Sequence, residues 1–317
     1  MKITIALCTW NGEDYLAEQL QSLVNQTRRP DELIAMDDAS TDGTPAILEG
    51  FARDNPMQFN CNPTRFGSSE NFSRAIARCT GDVVVLADQD DVWEPTKLAT
   101  IERTLSANPD AGFCFSDATI VDRDLQPLGY QLWEALDFGS QEQAQFRSGR
   151  AFESLLRRHR VTGATMAFRS HYRDLILPIP TGWVHDAWIA LLISAVAPCA
   201  LIETPLVRYR QHDHQQHGGR NRGLLDQYRA ARNLTRERCE AVAVRFAEAL
   251  ERLSSVGGVS PTRLELLRNK IAHHSRRAEM RTGGTWRLPQ VVKEAYRGNY
   301  RRYGQGWKTI AQDLLLS

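Results

Sequence analysis

Through its first two thirds the chain alternates short apolar runs with stretches of helical spacing. Ile3 to Cys8 is one such run and predicts a buried strand. From Gly12 to Gln26, Tyr15, Leu16, Leu20, Leu23 and Val24 recur on one helical face, and Pro30 ends the segment. A strand at Leu33 to Met36, a helix near Pro45 to Arg53, a short strand near Gln58 to Asn60, a helix at Ser68 to Ala77 and a strand at Val83 to Ala87 continue the rhythm. Such alternation predicts an α/β fold with a doubly wound, mostly parallel sheet and right-handed crossovers.

Farther on, Phe113 to Ser116 and Thr119 to Asp122 predict two more strands. Gly129 to Gln145 has little pattern and reads as a mobile loop. Ala151 to Arg158 predicts a helix, Thr162 to Phe168 a strand, Asp186 to Ala195 a helix and Leu206 to Arg210 a strand. The longest apolar stretch, Trp188 to Ile202, is broken by Pro198; it is shorter than a membrane span needs and reads as a buried core helix. Past Gly218-Gly219 the pattern becomes helical throughout, with helices at Leu224 to Leu253 and Pro261 to Met280 and an amphipathic segment at Leu288 to Leu316. The expected division is therefore 1–217 and 218–317.

Charge reinforces that division. The chain of 317 residues carries a formal net charge of only +1. From residue 218 onward, however, there are 20 Lys and Arg against 9 Asp and Glu, and before it 19 against 29. An acidic body thus carries a basic helical region, suited to an anionic partner or to docking on the body. In that region Trp286, Tyr296, Tyr300, Tyr303 and Trp307 lie among Arg297, Arg301, Arg302 and Lys308. Packing on the body or on a second subunit is one reading; peripheral contact with a membrane surface is the next. Nucleic acid is disfavoured. Six cysteines show no metal-binding spacing and read as reduced thiols of a cytoplasmic protein. The first residues are too short and too acidic a run for a signal peptide.

The chemistry concentrates at Asp88-Gln89-Asp90-Asp91, where the strand of Val83 to Ala87 stops abruptly. Ligands of open α/β sheets bind beyond the carboxyl ends of strands. Asp88 and Asp90, two apart, share a face of an extended backbone. Carboxylates held that close call for a hard cation, Mg2+ or Mn2+, with phosphate oxygens completing its shell. The simpler alternative is that Asp90 or Asp91 caps a helix opened by Trp93-Glu94-Pro95. Other strand ends carry Thr9-Trp10-Asn11 and the run Asp37-Asp38-Ala39-Ser40-Thr41-Asp42-Gly43-Thr44. There Asp38 has the chemistry to accept from a uracil or thymine ring N–H.

Taken in order, T-x-N, D-D-x-S-x-D, Asn71 after Arg65-Phe66-Gly67, and G-D-x(5)-D-Q-D-D-x-W resemble family 2 of the glycosyltransferases, with the GT-A fold. The likeness covers about residues 1–215 and is nearest to the bacterial rhamnosyltransferase-like members. It implies inverting transfer of a sugar from a nucleotide-diphosphate donor to a saccharide or lipid-linked acceptor hydroxyl, in building bacterial surface polysaccharide or O-antigen. By the same likeness Thr9, Asn11 and Asp38 face the nucleoside, Asp88 lies near ribose or metal, and Asp90 is the main metal ligand. Asp186, in His185-Asp186-Ala187-Trp188, is the implied base, and an N-cap is its structural alternative. Gly163-Ala164-Thr165 resembles the segment under the acceptor. Tyr209-Arg210-Gln211-His212 matches a motif in which Arg210 meets phosphate and His212 meets metal or diphosphate. The sequence departs from the family pattern after His212, so His214 and His217 take no role.

The subgroup implies dTDP-L-rhamnose as donor, with UDP-sugars next. Two competitors are a nucleotide-sugar-binding scaffold without turnover and a nucleotidyltransferase. The acidic Trp10-Asn11-Gly12-Glu13-Asp14 after the first strand, where a Gly-rich basic phosphate loop belongs, counts against the latter. The expected location is the cytoplasm or the inner face of its membrane, and a homodimer is one expected assembly.

Overall fold

The computed structural model describes residues 1–212, 235–281 and 287–315. Strands β1 (Ile3–Thr9), β2 (Glu32–Asp37) and β4 (Val83–Asp88) are buried along nearly their whole length. Their odd-numbered residues (Ile5, Leu7, Leu33, Ala35, Val83, Val85) form one core with Leu16, Leu20 and Leu23 of α1 (Leu16–Val24) and Leu48 of α2 (Thr44–Asp54). Side chains of alternate residues point to opposite faces of a sheet. Ile34, Met36, Val84 and Leu86 therefore occupy the other face, where Phe72 and Ile76 of α3 (Ser68–Arg78) are also fully buried. Two covered faces explain why these strands are continuous apolar runs rather than alternating ones.

After β3 (Gln58–Cys61) and β4 come a two-residue β5 (Val92–Trp93), α4 (Lys97–Ala107), β6 (Phe113–Val121), β7 (Pro127–Gln131), α5 (Leu132–Ala135), α6 (Ser140–Arg147), α7 (Ala151–Arg157), β8 (Met166–Arg169), α8 (Arg173–Ile176), α9 (His185–Ser194) and β9 (Cys199–Arg210). The sheet order is β3-β2-β1-β4-β8-β6-β9-β5, with β7 on β6. The first four strands are parallel, β8 runs against β4 and β6, and β9 is parallel to β6. Most strands thus share one direction, and their carboxyl ends share one edge.

Several expectations are corrected. The helix after the acidic run begins at Lys97, with Thr96 before it and no side-chain cap, so neither Asp90 nor Asp91 caps it. The two strands expected between 113 and 122 are a single β6 whose register against β9 shifts between Ser116 and Thr119. Residues 129–145 are not a patternless loop: they contribute β7, α5 and α6, and buried Trp133, Phe138 and Phe146 ring Phe115 with centroids within 5.8 Å of it. Residues 163–165 form a single 3-10 turn before β8. The apolar stretch 188–202 is not one helix but the end of α9 and the start of β9.

The described residues fall into two compact units. Met1–Gly149 and Arg160–Gly219 supply the first; Arg150–His159, which holds α7, joins Arg220–Ser317 in the second. The expected boundary near 218, and the beginning of the helix expected from Leu224, lie outside the described residues. In the second unit α10 (Arg236–Ser255) and α11 (Pro261–Met280) are followed by α12 (Arg287–Tyr296), α13 (Asn299–Tyr303) and α14 (Trp307–Leu315). The single amphipathic segment expected at 288–316 is therefore interrupted, at Gly298 in the left-handed region and near Gly304 and Gly306. No helix among the described residues is long and apolar enough to cross a membrane.

Candidate active site

The acidic loop is shaped from both ends. At its start, Gln19 donates from Nε2 to the Asp88 carbonyl at 2.7 Å. Gln89 turns back onto β1: its Oε1 accepts from the Trp10 N–H at 2.7 Å and its Nε2 donates to the Trp10 carbonyl at 3.0 Å. A Cβ at position 12 would meet that amide at 2.4 Å, so Gly12 permits the approach. At the other end β5 pairs antiparallel with β9 through Val92–Arg208 and Trp93–Val207. Arg210, 1% exposed, donates from Nε to the Asp90 carbonyl at 2.8 Å, pairs with Glu18 at 2.5 Å, reaches the Arg123 carbonyl and lies over the Tyr15 ring. The next turn of chain brings His212 Nε2 to 2.9 Å from Asp90 Oδ2.

The ends of β1 and β2 are tied just as closely. Thr9 Oγ1 donates to Asp37 Oδ1 at 2.8 Å, and Asp37 also accepts from the Ser40 N–H. Asn11, at φ 46°, accepts on Oδ1 from the Thr41 N–H at 2.9 Å. Asp38 accepts from Asn62 Nδ2 and from the N–H groups of Phe66 and Gly67, at 2.7 to 3.0 Å. A carboxylate offers about four accepting positions, so one remains for a ligand. Asn71 secures the same corner by donating to the Met36 carbonyl at 2.8 Å. The Arg65 guanidinium stacks on Trp10 at 3.4 Å.

The start of α9 lines the same cleft as the acidic loop. Asp186 accepts on Oδ2 from the Gly163 N–H at 2.9 Å and on Oδ1 from the Ala187 N–H at 2.6 Å. Val184 holds the cap position, so Asp186 lies inside the first turn, near the positive end of the helix dipole, rather than at the N-cap. His185 stacks on Phe72 at 3.9 Å, and a Cβ on Gly163 would meet its Nε2 at 2.5 Å. Lys97 is fully buried, donates to the Ala164 carbonyl at 2.6 Å and sits 3.5 Å above the Trp93 ring. Burial lowers its ammonium to about 7, with Asp91 and Asp88 pulling the other way. Burial also raises the Asp88 carboxyl to about 7, helped by Asp90 and then Asp186. Asp88 thus feels both of the other carboxylates.

Together they enclose a cleft of about 790 Å³. Thr9, Asn11, Asp38, Asp88, Asp90, Asp186 and His212 all line it. Arg210, expected at a phosphate, is drawn instead beneath the loop by Glu18 and the two carbonyls, and is not among the lining residues. Residues 214 and 217 lie outside the described residues. Sequence reasoning missed Gln19 and Gln89 as organisers of the loop. Gln19 leaves a signal: it is a polar residue on the Leu16–Leu20–Leu23 face of α1 and is fully buried.

Among the described residues no three His, Cys, Asp or Glu close on a metal position. Mg2+ and Mn2+ need no such cage when phosphate oxygens complete the shell; one or two protein ligands suffice. Asp90, paired with an imidazole whose Nδ1 has no hydrogen-bond partner among the described residues, fits that requirement, with Asp88 behind it.

Residues 4–175 match the model of the family described as "Glycosyl transferase family 2". The chain belongs to glycosyl transferase family 2. Among its relatives, the dTDP-rhamnosyl transferase RfbG of Shigella flexneri is 35% identical over 98 residues, 29% of this chain and 34% of its own length. At 26% identity over 225 residues, 67% of this chain, the chain spans 59% of the length of uncharacterised mycobacterial relatives. Two solved structures share the fold. One is S. aureus TarS 1–349 in complex with UDP-GlcNAc (TM-score 0.59, 15% identity, 95% of this chain and 80% of the other). The second is the mannosyltransferase PcManGT of Pyrobaculum calidifontis in complex with GDP-Man and Mn2+ (TM-score 0.53, 20% identity, 99% and 85%). Both agree with a GT-A type sheet for this family 2 chain.

Proposed function

We propose that this family 2 chain is an inverting, metal-dependent glycosyltransferase that takes a sugar from a nucleotide-diphosphate donor to an acceptor hydroxyl. One observation carries it: a single cleft is lined by Asp88, Asp90 and His212 together with Asp186. Asp38 accepts from the base with its remaining lone pair, and Thr9 and Asn11 shape the nucleoside wall through their ties to Asp37 and Thr41. Asp90 and His212, with Asp88, would hold a divalent cation, which when bound would offset negative charge on the diphosphate leaving group. Asp186 takes the acceptor proton as the acceptor oxygen attacks the anomeric carbon and the bond from that carbon to the diphosphate oxygen breaks. Its two backbone N–H contacts hold the carboxylate in place for this. Arg210 acts as a positioning residue for the acidic loop.

The likeness to RfbG supports dTDP-L-rhamnose as donor, and the UDP-GlcNAc of TarS keeps UDP-sugars second. We place the activity in bacterial surface polysaccharide synthesis. Residues 1–217 are the catalytic domain, working in the cytoplasm or at the inner face of its membrane on a saccharide or lipid-linked acceptor. The basic helical region after residue 218 supplies the peripheral contact.

Thermal melting with Mn2+ or Mg2+ and a panel of nucleotides tests this. A rise in midpoint that needs both metal and a dTDP or UDP species is expected, since ligands of the folded state stabilise it. No shift with any nucleotide in folded protein would remove the metal–diphosphate site. Asp186→Asn should lower turnover by roughly 100-fold or more while the donor-induced shift persists. Donor binding without turnover in the unaltered chain would instead favour a scaffold.

A further inference from the structure

The last three described helices sort their side chains by charge in an unusual way. Residues 287–315 contain two acids, Glu294 and Asp313, and both are buried. Glu294 bonds His273 and pairs with Arg276 and, at 3.7 Å, with half-exposed Arg297, and Asp313 pairs with Arg277 and Arg281. The six cations of the same stretch are Arg287, Lys293, Arg297, Arg301, Arg302 and Lys308, and all but half-buried Arg287 are exposed. The outward charge of this surface is therefore entirely positive.

Apolar side chains on α12 are sorted too. Val291 and Ala295 pack with Met280 and Tyr300 and complete the core of the unit. A second apolar row, Leu288, Val292 and Tyr296, recurs every four residues and is 59%, 59% and 94% exposed. Trp307, at the start of α14, is 73% exposed. Burying the first row stabilises the fold; the second row leaves most of its apolar surface to solvent.

Extending the membrane-side reading above, we infer that the Leu288–Val292–Tyr296 face of α12, with its surrounding cations, binds the surface of an anionic lipid bilayer. The row would enter the headgroup boundary while Lys293, Arg297 and their neighbours meet lipid phosphates, the arrangement of an interfacial amphipathic helix. A second copy of the chain would bring like charges face to face. Nucleic acid would satisfy the cations but leave Leu288 and Val292 uncovered, because branched aliphatic side chains do not stack on bases. An anionic bilayer satisfies both.

Co-sedimentation of the full chain with vesicles tests this. Binding to vesicles of phosphatidylcholine mixed with phosphatidylglycerol is expected, with at least roughly tenfold weaker binding to phosphatidylcholine alone and a decline as salt rises. The triple variant Leu288→Ser, Val292→Ser, Tyr296→Ser should keep its melting temperature and lose vesicle binding. The separate pair Lys293→Glu and Lys308→Glu should also lose it. Absence of binding to the mixed vesicles, or equal binding by both variants, overturns the inference. Self-association that the triple variant abolishes without vesicle binding assigns the face to a second copy and overturns it as well; binding to an oligonucleotide alone does the same. Transfer to a water-soluble acceptor should be unchanged in both variants, so a failed vesicle assay leaves the transferase proposal standing and a failed transfer assay leaves this one standing.

Discussion

At residue scale the candidate base is held by a glycine. Asp186 is aimed by the Gly163 N–H, and Gly163 lies against His185, whose ring already stacks on Phe72. Gly163→Ala would drive a methyl to 2.5 Å from His185 Nε2. Overpacking of this kind costs about 1–3 kcal/mol. The shift it forces on Asp186 should lower kcat by roughly 100-fold while the metal-dependent donor shift remains. A variant with full turnover would show that the 163–165 turn does not set the position of Asp186. The carboxylates themselves were legible in the chain, because an apolar strand that stops at Asp88 and Asp90 needs a reason to do so. Arg210 was not: its main partner, Glu18, is 192 positions away, and no local pattern reports a pairing at that distance.

At the scale of elements, β9 anchors the acidic loop, a role beyond the phosphate and metal contacts expected of Arg210 and His212. It pairs with β5 and places Arg210 under the Asp90 carbonyl and His212 against the Asp90 carboxylate. Arg210→Met would leave that carbonyl, the Arg123 carbonyl and Glu18 without their cation. A stability loss of about 1–3 kcal/mol is expected, with metal-dependent donor binding weakened alongside. Arg208→Ala, two residues away, removes only an exposed pair with Glu94 and should cost less than about 1 kcal/mol. Equal losses in chemical denaturation would contradict the clamp. The parallel half of the sheet was readable because its strands are long and buried on both faces. Residues 129–145 were not, since β7, α5 and α6 are too short to show a period, and Trp133, Phe138 and Phe146 gather by contact rather than by spacing.

For the molecule as a whole, much of the basic charge of the C-terminal region works internally. His273, fully buried, bonds Glu294 at 2.6 Å, and burial lowers it from the ordinary 6.5 to about 4, against the pull of Glu294. Between those values the unfolded chain binds a proton that the folded chain does not, so stability rises with pH there and is lost as pH falls from 6.5 through 4. A shift of that size corresponds to about 3 kcal/mol. Glu294 acts in the same sense at lower pH: burial would raise it, but hydrogen bonds from His273, Asn299 and Arg276 hold it below its ordinary value. The melting temperature should fall between pH 7 and pH 4.5, and by less in His273→Gln. An unchanged pH dependence in that variant would move the acid sensitivity elsewhere.

The pairing of β5 with β9 also bears on the order in which the chain becomes functional during synthesis. Asp88 and Asp90 leave the ribosome early, with a sheet core that can already assemble around β1, β2 and β4. Their loop is tied early on both sides, by Gln19 at the Asp88 carbonyl and by Ser22, whose Oγ accepts from the Trp93 N–H, but Asp90 meets Arg210 and His212 only when these have followed more than a hundred residues later. Contacts of such wide separation form late, because loop closure must come first. A nascent chain halted short of β9 should therefore present Asp90 without its Arg210 and His212 partners and, on the proposed function, bind metal–nucleotide more weakly than the finished chain. On that reading the last strand completes the setting of Asp90, and unfinished chains compete poorly for donor.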